Sequence, residues 1–158
     1  MTEPTADTRK YVLASVICPE CRSVVPGVIQ PTPPATASTY DSCLRRCIPC
    51  GIGWSNAVSN PALIFERPEM NVPAEVRGPE LGYTLANGIN HTNRNNKPIK
   101  FRSSRSEDAI TWTVFRGLQV AGKLGTVLRD AVPNLPISDT PTLLLWGVPL
   151  PAADPVAA

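Results

Sequence analysis

Cysteines are the residues of this sequence whose type and spacing could do chemistry, and there are five of them. Four fall into two Cys-x2-Cys pairs, Cys18-Pro-Glu-Cys21 and Cys47-Ile-Pro-Cys50, with 25 residues between the pairs. A Cys-x2-Cys turn sets two sulfurs on one side of a tight knuckle. Two such knuckles brought together by a hairpin complete a tetrahedral site at about 2.3 Å per Zn–S bond. The spacing therefore predicts one structural Zn2+ held by Cys18, Cys21, Cys47 and Cys50, since a redox dithiol needs one such pair at a strand-to-helix junction and not two. Gly51 follows the second knuckle and can take the positive φ that points backbone N–H groups at a ligand sulfur. Arg22 follows the first, so there the same turn demands a costlier backbone conformation or leaves a sulfur less well supported. Cys43, four residues before Cys47, reads as a buried or half-buried thiol beside the site and not as a ligand. His91 reads as a polar loop residue.

The elements that must position these ligands are short strands, expected at about 11–17, 23–29 and 42–46. The run Gln30-Pro-Thr-Pro-Pro-Ala-Thr-Ala-Ser38 can form neither helix nor central strand, so it is a loop inserted into a zinc ribbon over residues 11–66. Trp54 is expected to pack against that ribbon, and Ala62-Leu-Ile-Phe65 to add a short strand. Prolines and glycines among charges make 67–87 an extended connector. Residues 1–10 and 151–158 are expected to be disordered, which leaves 88–150 as a second region.

Within that region, Gly88 to Arg105 carries Arg94, Lys97, Lys100, Arg102 and Arg105, interleaved with four asparagines and no acidic residue. Such a stretch can lie along a phosphate backbone, or it can be a solvated basic loop. Ser104-Arg-Ser-Glu107 has the form of a capping box. It opens a helix whose apolar face is Ala109, Ile110, Val114, Leu118 and Ala121, widened by Trp112 and Phe115. Gly117, Gly122 and Gly125 predict a break near 117–123 and a second helix over about 123–131. Thr142-Leu-Leu-Leu-Trp-Gly-Val148 does not alternate, which is the pattern of a strand buried on both faces.

The composition sets bounds on all of this. Eighteen prolines in 158 residues mean that much backbone is loop or extended, and a formal charge of +2 is too mild to imply nucleic-acid binding by itself. Neither a signal sequence nor a run of membrane-spanning length is apparent, so the expected location is the cytoplasm, where cysteines serve metals more often than disulfides.

Several phrases together resemble a known family. Cys18-x2-Cys21, Tyr40-Asp-Ser-Cys-Leu-Arg-Arg-Cys47, Cys50-Gly-Ile-Gly-Trp-Ser-Asn56, Ser106-Glu-Asp-Ala-Ile-Thr-Trp-Thr-Val-Phe115 and Leu143-Leu-Leu-Trp-Gly-Val-Pro149 are similar to the amino-terminal part of bacterial restriction-endonuclease-like proteins of the PD-(D/E)XK nuclease superfamily. The resemblance implies a mixed sheet flanked by helices, with an acidic residue on the first core helix near a divalent metal. By position that residue is Glu107, which as a capping-box partner has an equally good structural reason to be there. Such nucleases need an aspartate followed by Glu-x-Lys to hold Mg2+ and activate water. No Glu-x-Lys occurs in this sequence.

The fold class expected is thus α+β, a small β zinc ribbon followed by an incomplete restriction-endonuclease-like α/β region with one or two helices and a buried strand. The function expected is zinc-bound DNA binding without cleavage. The alternative is a zinc-stabilised assembly protein, whose exposed helix and strand dock on a protein partner or a second copy that completes the sheet.

Overall fold

The computed structural model describes residues 10–88 and 96–152, and the chain divides into two compact units. The first runs to Arg67 and takes back Ser103–Arg105; the second holds Pro68–Arg102 and the chain from Ser106 onward.

The first unit is built from antiparallel strands of two or three residues. β1 (Tyr11–Leu13) pairs with β4 (Val28–Gln30), and β2 (Val16–Ile17) pairs with β3 (Val24–Val25). The expected strands 11–17 and 23–29 are therefore one hairpin, interrupted where Ala14-Ser15 faces Pro26-Gly27. Proline brings no N–H to a ladder, and a Cβ on Gly27 would stand 2.6 Å from the Leu13 carbonyl oxygen, so the two chains cross there in close contact. Leu13 pairs with Val28, and Val16 with Val25. Leu13 and Val16 lie an odd number of residues apart, so a flat ladder would turn Leu13 and Val25 to opposite faces. Both are buried, so the ribbon turns over at the break.

The Ala14 carbonyl at the break accepts from Arg45 Nη1 at 2.9 Å, while Arg45 Nη2 donates to the carbonyls of Ser55 and Ala57. This fully buried guanidinium stitches the hairpin to the sheet β5 (Arg45–Cys47), β6 (Ile52–Trp54) and β7 (Leu63–Phe65). Trp54 is buried within β6. The expected strand at 42–46 starts later, because Tyr40–Ser42 forms a single helical turn capped by Thr39.

Ser103–Arg105 runs against β7. Ser104 N donates to the Leu63 carbonyl at 2.9 Å and Leu63 N to Ser104 Oγ at 3.0 Å, which removes Ser104 from its expected capping role.

The second unit is mainly helical. Residues 67–87 are not an extended connector: two single helical turns, Pro68–Asn71 and Ala74–Val76, lead into α1 (Pro79–Asn87). Proline at the first helical position has its φ preset and no N–H to waste, and Glu80 in the first turn suits the helix dipole. α2 (Lys97–Phe101) follows, then α3 (Glu107–Val120) and α4 (Leu124–Ala131).

Ser106 caps α3, its Oγ accepting from Ala109 N at 3.3 Å. The helix runs through Gly117 and ends before Gly122, within the break expected near 117–123. Gly122 has φ +66, Lys123 N donates to the Leu118 carbonyl, and Gly122 N to that of Gln119, the two bonds of a left-handed terminus. The buried stripe of α3 is Ala109, Trp112 and Arg116, rotated from the face expected, and Ile110 and Val114 are exposed. Trp112 sets that rotation: it is fully buried and its Nε1 donates to the Val76 carbonyl at 2.8 Å.

The run 142–148 is not a central strand. It is half of a hairpin, β8 (Leu143–Leu145) against β9 (Val148–Leu150), joined by Trp146 and Gly147 at φ 54 and 82. Two positive φ values are what a two-residue hairpin turn requires. Leu143 and Leu145 face inward and Leu144 outward, so one face is buried and not two. All strand pairs among the described residues are antiparallel, which departs from the mixed sheet that the resemblance implied. The architecture is α+β, with small antiparallel sheets and a cysteine cluster beside the first hairpin.

Candidate metal centre

The two knuckles occupy the turns that their strands make. Cys18 to Cys21 lies in the turn between β2 and β3, closed by Cys18 N to the Ser23 carbonyl at 2.9 Å and Arg22 N to the Cys18 carbonyl at 3.0 Å. Cys47 to Cys50 lies in the turn between β5 and β6, closed by Gly51 N to the Ile48 carbonyl at 3.3 Å. Both turns end in the left-handed region. Gly51 has φ +61 at no steric cost, while Arg22 has φ +62 and bears the strain that its Cβ imposes there. The first knuckle thus takes the costlier of the two courses open to it.

Together the turns bring Cys18, Cys21, Cys47 and Cys50 into one cluster, with all four Sγ atoms within 4.8 Å of one another and Cys21 Sγ 3.5 Å from Cys47 Sγ. Four sulfurs at tetrahedral corners about 2.3 Å from a zinc ion stand about 3.8 Å apart, so the cluster is the size that such an ion fills. Cys18 and Cys47 are buried, Cys50 is half-buried and Cys21 is exposed.

Without a metal, the crowded thiols divide their protons unequally. Ser23 donates to Cys21 Sγ from both its hydroxyl and its backbone N–H, and with further hydrogen bonds from Cys47 and Cys50 this holds the Cys21 thiol at about 6. Hydrogen bonding with Cys21, with burial adding to it, pushes Cys50 up to about 12. Burial raises Cys47 as well, although the Cys50 backbone N–H reaches its sulfur and works the other way. Within the cluster these contacts favour the thiolate at Cys21 and disfavour it at Cys47 and Cys50, and a divalent ion would bind by displacing the protons that its ligands keep. Ser23 is the residue that sequence reasoning missed here. A hydroxyl two residues past the second cysteine of a knuckle was its available signal.

The other candidate residues are placed differently. Cys43 is buried apart from the ligand cluster, its Sγ donating to the Thr39 carbonyl at 3.4 Å and its thiol pushed up to about 11 by burial. Glu107 is exposed in the first turn of α3, and no other acid, histidine or cysteine joins it in a metal-sized group among the described residues.

Of the five cations, Lys97 is not a surface residue. Its side chain is 8% exposed, and Nζ sits 2.7 Å from Asp108 Oδ1 and 3.9 Å above the centre of the Trp146 ring. Lys100 is exposed on α2. Arg102 is half-exposed, and its Nε is buried with no hydrogen-bond partner. Arg105 is exposed and donates to the Asn60 carbonyl. Arg94 and His91 lie outside the described residues, as do most of the two segments expected to be disordered. None of the described helices is long and apolar enough to cross a membrane.

No family model matches this chain, and neither a curated protein nor a solved structure does.

Proposed function

We propose that the chain is a zinc-binding module whose Zn2+ is structural, held by Cys18, Cys21, Cys47 and Cys50. The observation that supports it is the gathering of four sulfurs from two turns into a group of tetrahedral size. Four thiolates leave a zinc ion no open position, so its work there is to tie the two knuckles together and not to polarise a substrate. The need for such a tie is physical: strands of two or three residues bury little apolar surface, and the hairpin carrying Cys18 and Cys21 is broken in its middle. Metal analysis of the purified chain should find one zinc per chain. Chelation should abolish the amide protection of residues 11–66 while leaving α3 protected. A chain that folds metal-free, or whose first unit is indifferent to chelation, would overturn the reading.

The partner we assign is DNA. This extends the resemblance to restriction-endonuclease-like proteins, with binding kept and cleavage absent because the sequence has no Glu-x-Lys. Among the described residues, the candidate cations left to contact phosphate are Lys100, Arg102 and Arg105, and Arg94 stays a candidate outside them. A second reading, protein docking, is favoured by two exposed apolar pairs on the broken hairpin, Val12 opposite Ile29 and Ile17 opposite Val24. Dependence of binding on salt separates the two.

A further inference from the structure

The four cysteines of the cluster are unequally exposed. Of the four sulfur-bearing residues, Cys21 alone is exposed, and its Sγ stands 3.5 Å from that of Cys47, a buried residue of the other knuckle. An exposed cysteine whose sulfur is in contact with a second sulfur has what thiol oxidation needs, a site of attack and a resolving partner. The contact runs between the knuckles and not within one. A bond made along it would join the same two turns that the metal joins.

We propose that the centre is redox-sensitive, with Cys21 the sulfur that a peroxide oxidises and Cys47 the sulfur that resolves it. This rests on the zinc-binding reading. Cys21 thiolate attacks one oxygen of hydrogen peroxide; an S–O bond forms, the O–O bond breaks, and the departing hydroxide takes a proton to become water. Cys47 thiolate then attacks the Cys21 sulfur; the S–S bond forms, the S–O bond breaks, and the second hydroxide leaves, again as water. Two thiolates, one peroxide and two protons become one disulfide and two waters, the sulfurs losing two electrons to the peroxide. Only Cys18 and Cys50 remain as thiolate ligands, too few to hold a structural zinc ion, so the metal departs. The Cys21–Cys47 disulfide keeps the knuckles tied, so oxidation unloads the ion without releasing the fold. Cys43 takes no part, because it is buried and hydrogen-bonded to Thr39.

The test uses the zinc-loaded full chain and hydrogen peroxide, with a chromophoric indicator for free zinc and peptide mapping after alkylation. One equivalent of peroxide should release the zinc and leave a Cys21–Cys47 disulfide. Cys43→Ser should release at the rate of the unmodified chain. Cys21→His keeps four ligands with a nitrogen in place of the exposed sulfur, and should release on the order of tenfold more slowly. Disulfides confined within each Cys-x2-Cys pair, a disulfide through Cys43, or zinc retained in excess peroxide would overturn the proposal while leaving the metal centre standing. A chain that takes up no zinc before peroxide is added removes both readings.

Discussion

Replacing Lys97 with alanine tests whether that cation belongs to the core of the second unit or to a nucleic-acid surface. The Nζ group lies 3.9 Å over the Trp146 ring, which for a desolvated cation stabilises by about 2 kcal/mol. Its ion pair with Asp108 is short at 2.7 Å, but Asp108 is 31% exposed, so water screens it and it contributes about 0.5–1 kcal/mol. Truncation also strips three buried methylenes, about 0.8 kcal/mol each. Against these losses, the variant has no ammonium to desolvate on folding, which returns about 2–3 kcal/mol. The net cost is about 2–3 kcal/mol. For a unit of this size that lowers the melting temperature by about 8–24 °C.

Urea unfolding followed by tryptophan fluorescence reads this directly, since Trp146 and Trp112 stack with ring centroids 6.2 Å apart beneath the cation. The midpoint should fall with the slope unchanged. Lys100→Ala, at an exposed position, should stay within about 0.5 kcal/mol of the unmodified chain. If Lys97→Ala also moves stability by less than about 0.5 kcal/mol, or weakens DNA binding at unchanged stability, the placement of Lys97 in the core is wrong.

Binding of duplex DNA, measured by fluorescence anisotropy between low and moderate salt, should weaken as salt rises, and replacing Lys100, Arg102 and Arg105 together should flatten that dependence by about 2–3 phosphate contacts; affinity unchanged by the triple replacement would refute DNA as the partner through these residues. Zinc uptake by the metal-free chain should release about four protons per ion at pH 7, because the first unit is unfolded without the ion and its ligand thiols then keep their protons up to their ordinary range near 9. Affinity for zinc should therefore fall as pH falls from 7 to 5, since each ligand must give up a proton to bind. Calorimetry in buffers of differing ionisation enthalpy counts the protons, and a count near zero would refute coordination by four thiolates.

What the sequence made legible is what short stretches decide for themselves. Two Cys-x2-Cys turns fix their sulfurs within four residues each, Gly51 takes the positive φ that its position demands, and Gly122 ends α3 where a left-handed residue is needed. Two features were local and still passed unread: Pro26-Gly27, which breaks the hairpin, and Pro79 with Glu80, which opens α1 where a connector was expected.

The rest depended on partners distant in the chain. Ser104 is a plausible cap until Leu63 claims its hydroxyl, and the stripe of α3 turns with the bond from Trp112 to Val76. The apolar run 142–148 carries Gly147 as its one ordinary turn signal, because the other turn position is a tryptophan in a conformation that side chains avoid. That conformation is held by the contacts of Trp146 with Trp112, Phe101 and Lys97, three residues that lie 34 or more positions earlier in the chain. The expectations of Lys97 as a free cation and of residues 142–148 as a central strand thus share one reason for departing from the structure. A basic residue looks free, and a hairpin looks like a strand, until the ring that joins them is in place.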